Sequence, residues 1–159
     1  MNHRYLNRCV SLVLGIGIAV LALASPSAAE LGGDLNSVAT DQARMKATVR
    51  STQTSSYAVH ELQAATGTVV REYVSSAGKV FAVAWHGPFL PNLRDLLGQY
   101  FTPYSQAVQA AKLHHPGRSP VLIQQSGLVV ESGGHMRSFA GKAYVPQLLP
   151  EGTSTEEIR

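Results

Sequence analysis

Cysteine is nearly absent: the single one, Cys9, lies in the N-terminal segment ahead of an apolar run. If that segment is removed, disulfides, zinc–thiolate sites and thiol nucleophiles are excluded together. Charge is sparse as well, with Asp, Glu, Lys and Arg making up 14% of the chain. The formal net charge of +3 falls to +1 once Arg4 and Arg8 are set aside, so no basic stripe argues for nucleic acid. Internal repeats and low-complexity tracts are missing. So are catalytic motifs. No serine is flanked by glycines at two-residue spacing, which excludes a nucleophile elbow. Lys79 and Lys142 each follow a glycine but lack the upstream glycine of a phosphate loop. His60-Glu61-Leu62-Gln63-Ala64 starts like a zinc-protease helix and then lacks the second histidine four residues on.

What is present begins with an export signal. Arg4 and Arg8 precede the uncharged run Cys9 to Ala24, and Ser25-Pro26-Ser27-Ala28-Ala29 supplies small residues at the recognition positions. This pattern predicts a secretory signal peptide over residues 1–29, cleaved after Ala29, and hence a periplasmic or secreted protein. The run is shorter than the ~20 apolar residues of a spanning helix, so no membrane span is expected after its removal. About 130 residues remain, the size of one domain. We place that domain at 30–149 and expect 150–159 to be a disordered tail.

The strongest structural pattern is Thr68 to Pro88, TVVREYVSSAGKVFAVAWHGP. In its second arm Phe81, Val83 and Trp85 alternate with Val80, Ala82 and Ala84, the period of a strand with one bulky and one small face. Ser76-Ala77-Gly78 suits a three-residue hairpin loop with glycine in the left-handed position. That loop predicts Ser75 opposite Lys79, Tyr73 opposite Phe81, Arg71 opposite Val83 and Val69 opposite Trp85, with all the large side chains on one face. Upstream, Asp34 to Thr48 has helical spacing with Asp34 or Ser37 as cap, and Tyr57 to Leu62 reads as a strand completing a three-strand meander. Downstream, Leu93, Leu96, Leu97, Tyr100, Phe101 and Tyr104 recur at three and four, predicting a helix over the bulky face with a break at Thr102-Pro103 and a second helix to about Leu113. Val121 to Gln125 and Leu128 to Glu131 form a second hairpin, and His135 to Val145 a final strand bulged at Gly141. The class is α+β: an antiparallel sheet of about five or six strands with helices packed on one face.

Few residues suggest chemistry. Arg71, Trp85 and His86 gather at one end of the aromatic face, where a cation beside a ring could hold an anionic or carbohydrate ligand. An arginine there also lays its methylenes over apolar neighbours with its head in water, which is the reading we adopt. His114 and His115 could bind a soft divalent ion if the fold brought His86 or His135 to them, but adjacent loop histidines are ordinarily just polar, and no metal or cofactor is expected. Glu61 and Glu72 would be neighbours if their strands pair; with Glu72 on the small-residue face, exposure is expected rather than acid–base catalysis. No catalytic residue is assigned.

The stretches HELQAATGTVVREYVSSAGKVFAVAWHGP and LVVESGGHMRSFAGKAYVP, with the LGG start and the DLLGQYF helix, resemble the bacterial family called domain of unknown function 2844. The resemblance spans about Leu31 to Pro146. It implies a small exported protein of Gram-negative bacteria and carries over no activity, cofactor or catalytic residue. The expected function is therefore a non-enzymatic envelope or secreted accessory protein acting through protein contacts, with an envelope protein as partner. The alternative is a periplasmic binding module for a small anionic or carbohydrate ligand at Arg71, Trp85 and His86. A third class, a small hydrolase, would need a pocket holding a base and a nucleophile.

Overall fold

The structure, a computed structural model, describes residues 30–114, 120–125 and 127–159, the side chain of His114 excepted. The expected signal peptide and His115 lie outside the described residues. In chain order the elements are α1 (Leu35–Met45), β1 (Thr48–Gln53), β2 (Tyr57–Gln63), β3 (Val69–Ser75), β4 (Val80–Gly87), α2 (Leu93–Leu97), α3 (Phe101–His114), β5 (Val121–Gln125), β6 (Leu128–His135) and β7 (Ser138–Tyr144). The strands form one open antiparallel sheet in the order β1-β2-β3-β4-β7-β6-β5, two meanders joined where β4 meets β7.

This is the expected α+β class, with seven strands rather than five or six. The added strand is β1, whose Thr48–Gln53 is polar and mostly exposed at the sheet edge and so shows no apolar alternation. At the other end, β6 runs straight through Gly133-Gly134, and the turn falls at Met136-Arg137, with Arg137 at φ 64°. Gly141 is regularly paired, to Trp85 on one side and Ser132 on the other, instead of marking a bulge. A Cβ there would come within 2.4 Å of Trp85 Cζ2 and 2.6 Å of the Glu131 carbonyl oxygen, so the glycine is needed for close packing.

The central hairpin closes as its loop predicts. The Ser75 N–H donates to the Lys79 carbonyl at 2.8 Å, and Gly78 has φ 74°. Beyond the loop the register differs from expectation: Val74 faces Val80 but Tyr73 faces Ala82, leaving Phe81 as the extra residue of a bulge in β4. Arg71 then faces Ala84, and Val70 faces Trp85. The expected pairs Tyr73–Phe81, Arg71–Val83 and Val69–Trp85 do not form. Tyr73 and Phe81 nevertheless share a side, their ring centroids 6.1 Å apart, with Tyr57 5.6 Å from Phe81. Val83 and Trp85 lie on the opposite side with Val70, Val74 and Val80. Instead of one bulky face, the bulge divides the large residues between two cores.

Each core has its own cover. Leu93, Leu96 and Leu97 of α2 and Tyr104 of α3 pack on the side of Val83 and Trp85, as the helical period predicts, but do not reach Tyr73 and Phe81. The break between the helices is a 3-10 turn, Gly98–Tyr100, with Gly98 at φ 50°, not Thr102-Pro103. Leu31 is buried on the same side and is held by backbone bonds from Gly32 N–H to the Val80 carbonyl (2.8 Å) and from Val80 N–H to the Gly33 carbonyl (3.0 Å). Asp34 caps α1, accepting from Asn36 N–H at 3.0 Å.

The aromatic side is closed by the segment expected to be disordered. Ile158, 2% exposed, packs with Tyr57, Tyr73 and Phe81. The Tyr57 hydroxyl donates to Glu157 Oε2 at 2.6 Å, Arg159 N–H donates to the Tyr73 hydroxyl at 3.0 Å, and Lys142 Nζ donates to the Thr155 carbonyl at 3.0 Å. The Glu157 carboxylate and burial push the Tyr57 pKa up to about 12. Among the described residues no helix is long and apolar enough to cross a membrane.

Candidate functional site

The recess on the helix side is a half-open cavity of about 230 Å³ between α1, the β2–β3 turn and the loop from β4 to α2. The turn is set by Gly67, at φ 87°, whose N–H donates to the Ala64 carbonyl at 2.9 Å. Thr68 Oγ1 donates to the Phe89 carbonyl at 2.9 Å and so ties the turn to the loop. Asn92 caps α2, accepting from Arg94 N–H at 3.1 Å and donating through Nδ2 to Asp95 Oδ2 at 2.8 Å. Met45, Ala64, Pro91 and Leu96 make the walls apolar. Phe89 and Leu90 also line the cavity and remain 56% and 48% exposed.

Its charged corner is built on α1. Arg44 Nη1 lies 3.6 Å from Asp41 Oδ1 and 3.3 Å from Asp95 Oδ1. Asp41 is 1% exposed and faces Glu72 of β3, which is 0% exposed. No N–H or O–H of another described residue makes a hydrogen bond to either carboxyl. Between them the two must therefore hold a proton, because two bare carboxylates side by side away from water would repel. Burial, with the neighbouring Asp41 adding to it, pushes the Glu72 pKa to about 9, so Glu72 stays protonated at neutral pH. Burial likewise raises Asp41 to about 6 against the opposing pull of Arg44.

Glu72 thus reverses its sequence expectation. It lies on the helix side of the sheet with Val70, Val74 and Val83 and under α1, rather than on an open small-residue face. Glu61 is not its neighbour: Glu61 Oε2 accepts from Arg71 Nε at 2.7 Å, and Glu61 lies opposite Arg71 in the register. Across the same three strands Ser51, His60 and Glu72 form a row. Ser51 Oγ is 2.8 Å from His60 Nδ1, but His60 Nε2 and both Glu72 oxygens have no partner, so the hydrogen-bonded relay of a hydrolase is not assembled. Burial lowers the His60 pKa and holds the ring neutral.

Arg71, Trp85 and His86 do line a common space, an open groove of about 720 Å³ that also meets Lys142, Glu131 and Arg159. Trp85 is only 2% exposed, with its ring against Gly141, so it offers no aromatic platform. The Arg71 guanidinium is already engaged by Glu61 and by the Arg159 carbonyl, 2.7 Å from Nη1. His86 and His135 are exposed, and among the described residues no group of histidines and carboxylates could hold a metal ion. Asp41, which sequence reasoning passed over, does leave a trace: it stands three residues after Val38 and four before Met45, an acid inside the helix's apolar stripe.

A family model described as protein of unknown function (DUF2844) matches residues 27–158. No curated protein and no solved structure matches the chain.

Proposed function

We propose that this chain, which belongs to the DUF2844 family, is an exported accessory protein that works by contact with other envelope or secreted proteins rather than by catalysis. One observation carries the reading: Phe89 and Leu90, adjacent and half exposed, stand at a recess with apolar walls. Scattered exposed apolar residues are ordinary, but two in sequence beside a cavity of side-chain size form a place where a partner's side chain can insert. The loop is pre-organised for it by the Thr68 and Asn92 hydrogen bonds. The residue pattern of 1–29 supports export, with cleavage after Ala29.

The test is a photo-crosslinking residue placed at Leu90 in cells expressing the full chain, with Gln109 on exposed α3 as the control position. A discrete adduct at Leu90 that disappears on Phe89→Ser, and is absent at Gln109, supports the contact. Equal labelling at both positions, or none at Leu90, overturns it. A second reading, a site for a small anionic or carbohydrate ligand, rests on Arg71, Trp85 and His86 lining one groove. Calorimetric titration with sulfated and neutral oligosaccharides decides it, since binding there must be weakened by Arg71→Ala and His86→Ala.

A further inference from the structure

We propose that the buried Asp41–Glu72 pair is a proton-operated latch that holds α1 on the sheet, and that loss of the shared proton releases the helix and opens the cavity it walls. The latch itself stands on the geometry of α1; its bearing on binding rests on the contact reading given above.

Helix α1 is tied to the sheet at its ends, by the Asp34–Lys79 bridge and by buried Ala47, but along its length it buries few side chains. Of its residues only Ser37, Val38 and Asp41 are buried, and Met45 is partly so. The Ser37 hydroxyl is spent on the Asp34 carbonyl. The helix therefore meets the sheet through Val38, Met45 and one carboxyl, and that carboxyl faces another. Asp41, Arg44 and Met45 form one wall of the cavity, so any lifting of α1 opens it.

The surrounding charges do not replace the proton. From α1 itself, Arg44 is the one cation acting on the pair, and it is shared with Asp95 of α2, which adds a negative charge. From β2, His60 stands directly opposite Glu72 and is kept neutral by burial. From β4, the residue opposite Glu72 is Val83. When the Glu72 O–H bond breaks and its proton passes to water, a second negative charge appears where no group compensates it. Repulsion then acts across the interface between α1 and β3.

Hydrogen exchange of the full-length protein across a pH series tests this, reading the amides of Val38 to Met45 against those of β4, each corrected for its intrinsic rate. In the wild type, α1 protection relative to β4 should fall by about tenfold or more between about pH 7 and 9.5. In Glu72→Gln, whose amide cannot ionise, it should change by less than about twofold. A constant ratio in the wild type, or the same loss in the variant, overturns the latch. Should the variant fail to fold, carbon-detected NMR titration of Glu72 in the wild type decides: a midpoint above neutrality supports the proposal, and one in the ordinary carboxylate range overturns it. No ligand enters either measurement, so failure of the contact reading and failure of the latch are told apart.

Discussion

Replacing Ile158 by alanine asks whether the C-terminal segment is a structural part of the aromatic core. Ile158 is almost wholly buried among Tyr57, Tyr73 and Phe81. Alanine removes three carbons, worth about 2.4 kcal/mol of transfer free energy, and the residual cavity places such truncations at about 2–5 kcal/mol. A terminal segment has a response that a strand lacks, because it can detach. Its other ties are the hydrogen bonds of Tyr57, Arg71, Tyr73 and Lys142, each contributing about 1 kcal/mol net. Once the isoleucine anchor is gone, local release costs less than keeping the cavity, so the global loss should settle at about 2 kcal/mol. Urea denaturation measures that loss, and a glutamate-specific protease reports release through cutting at Glu156 and Glu157. The wild type should resist cutting and the variant should be cut rapidly. A variant within about 0.5 kcal/mol of wild type, the scale of an ordinary surface substitution, together with a wild type cut equally fast, would refute the docking of this segment.

Gly141→Ala forces a Cβ between the Trp85 ring and the Glu131 carbonyl and should cost about 3 kcal/mol, read as a lowered urea midpoint. Tyr57→Phe deletes the hydroxyl that bonds Glu157 and should cost about 1–2 kcal/mol by the same measurement, with little change in near-ultraviolet signals from Trp85. The folded pKa values of Asp41 and Glu72 are raised above their unfolded values, so the native state binds more protons and their contribution is present at low pH and lost as pH rises through about 6 and then about 9. Between about pH 7.5 and 9.5, where His60 is neutral in both states, stability should fall by up to about 1.4 kcal/mol per pH unit for the remaining shared proton, and Glu72→Gln should flatten that slope. Phe89→Ser at an exposed position should change stability by less than about 0.5 kcal/mol while abolishing the Leu90 crosslink.

What the sequence made legible was local. The Ser76-Ala77-Gly78 loop and the strand around Tyr57 are signalled by neighbours in the chain and form where their patterns predict, and the 93–104 stripe is helical as its period predicts but breaks at Gly98–Tyr100 instead of Thr102-Pro103. The bulge at Phe81 has no such signal, because nothing between Gly78 and Trp85 tells which side of the sheet has room for an aromatic ring. That room is made by Tyr57 and Ile158, distant in sequence. Glu72 was misjudged for the same reason: whether a strand carboxyl is wet depends on α1, which sets Asp41 beside it. In the 150–159 segment, polarity and Gly152 outweigh one isoleucine in any window average, yet its hydrogen bonds go to tyrosine hydroxyls that only the assembled sheet presents. At the groove, proximity in sequence did bring Arg71, Trp85 and His86 together, but burial of Trp85 and the engagement of Arg71 are tertiary facts.

Phe81 is separable from the hairpin that carries it. Because Val74 already faces Val80 and Tyr73 already faces Ala82, excising Phe81 would leave the β3–β4 partners and side-chain directions where they now stand, losing only the bond its carbonyl accepts from Val145 N–H at 3.0 Å. The most deeply buried ring of the aromatic cluster thus rides on a step of the backbone that the β3–β4 pairing does not need. Shortening the chain by that one residue should give a protein with the same topology and a hollow beneath its C-terminal segment.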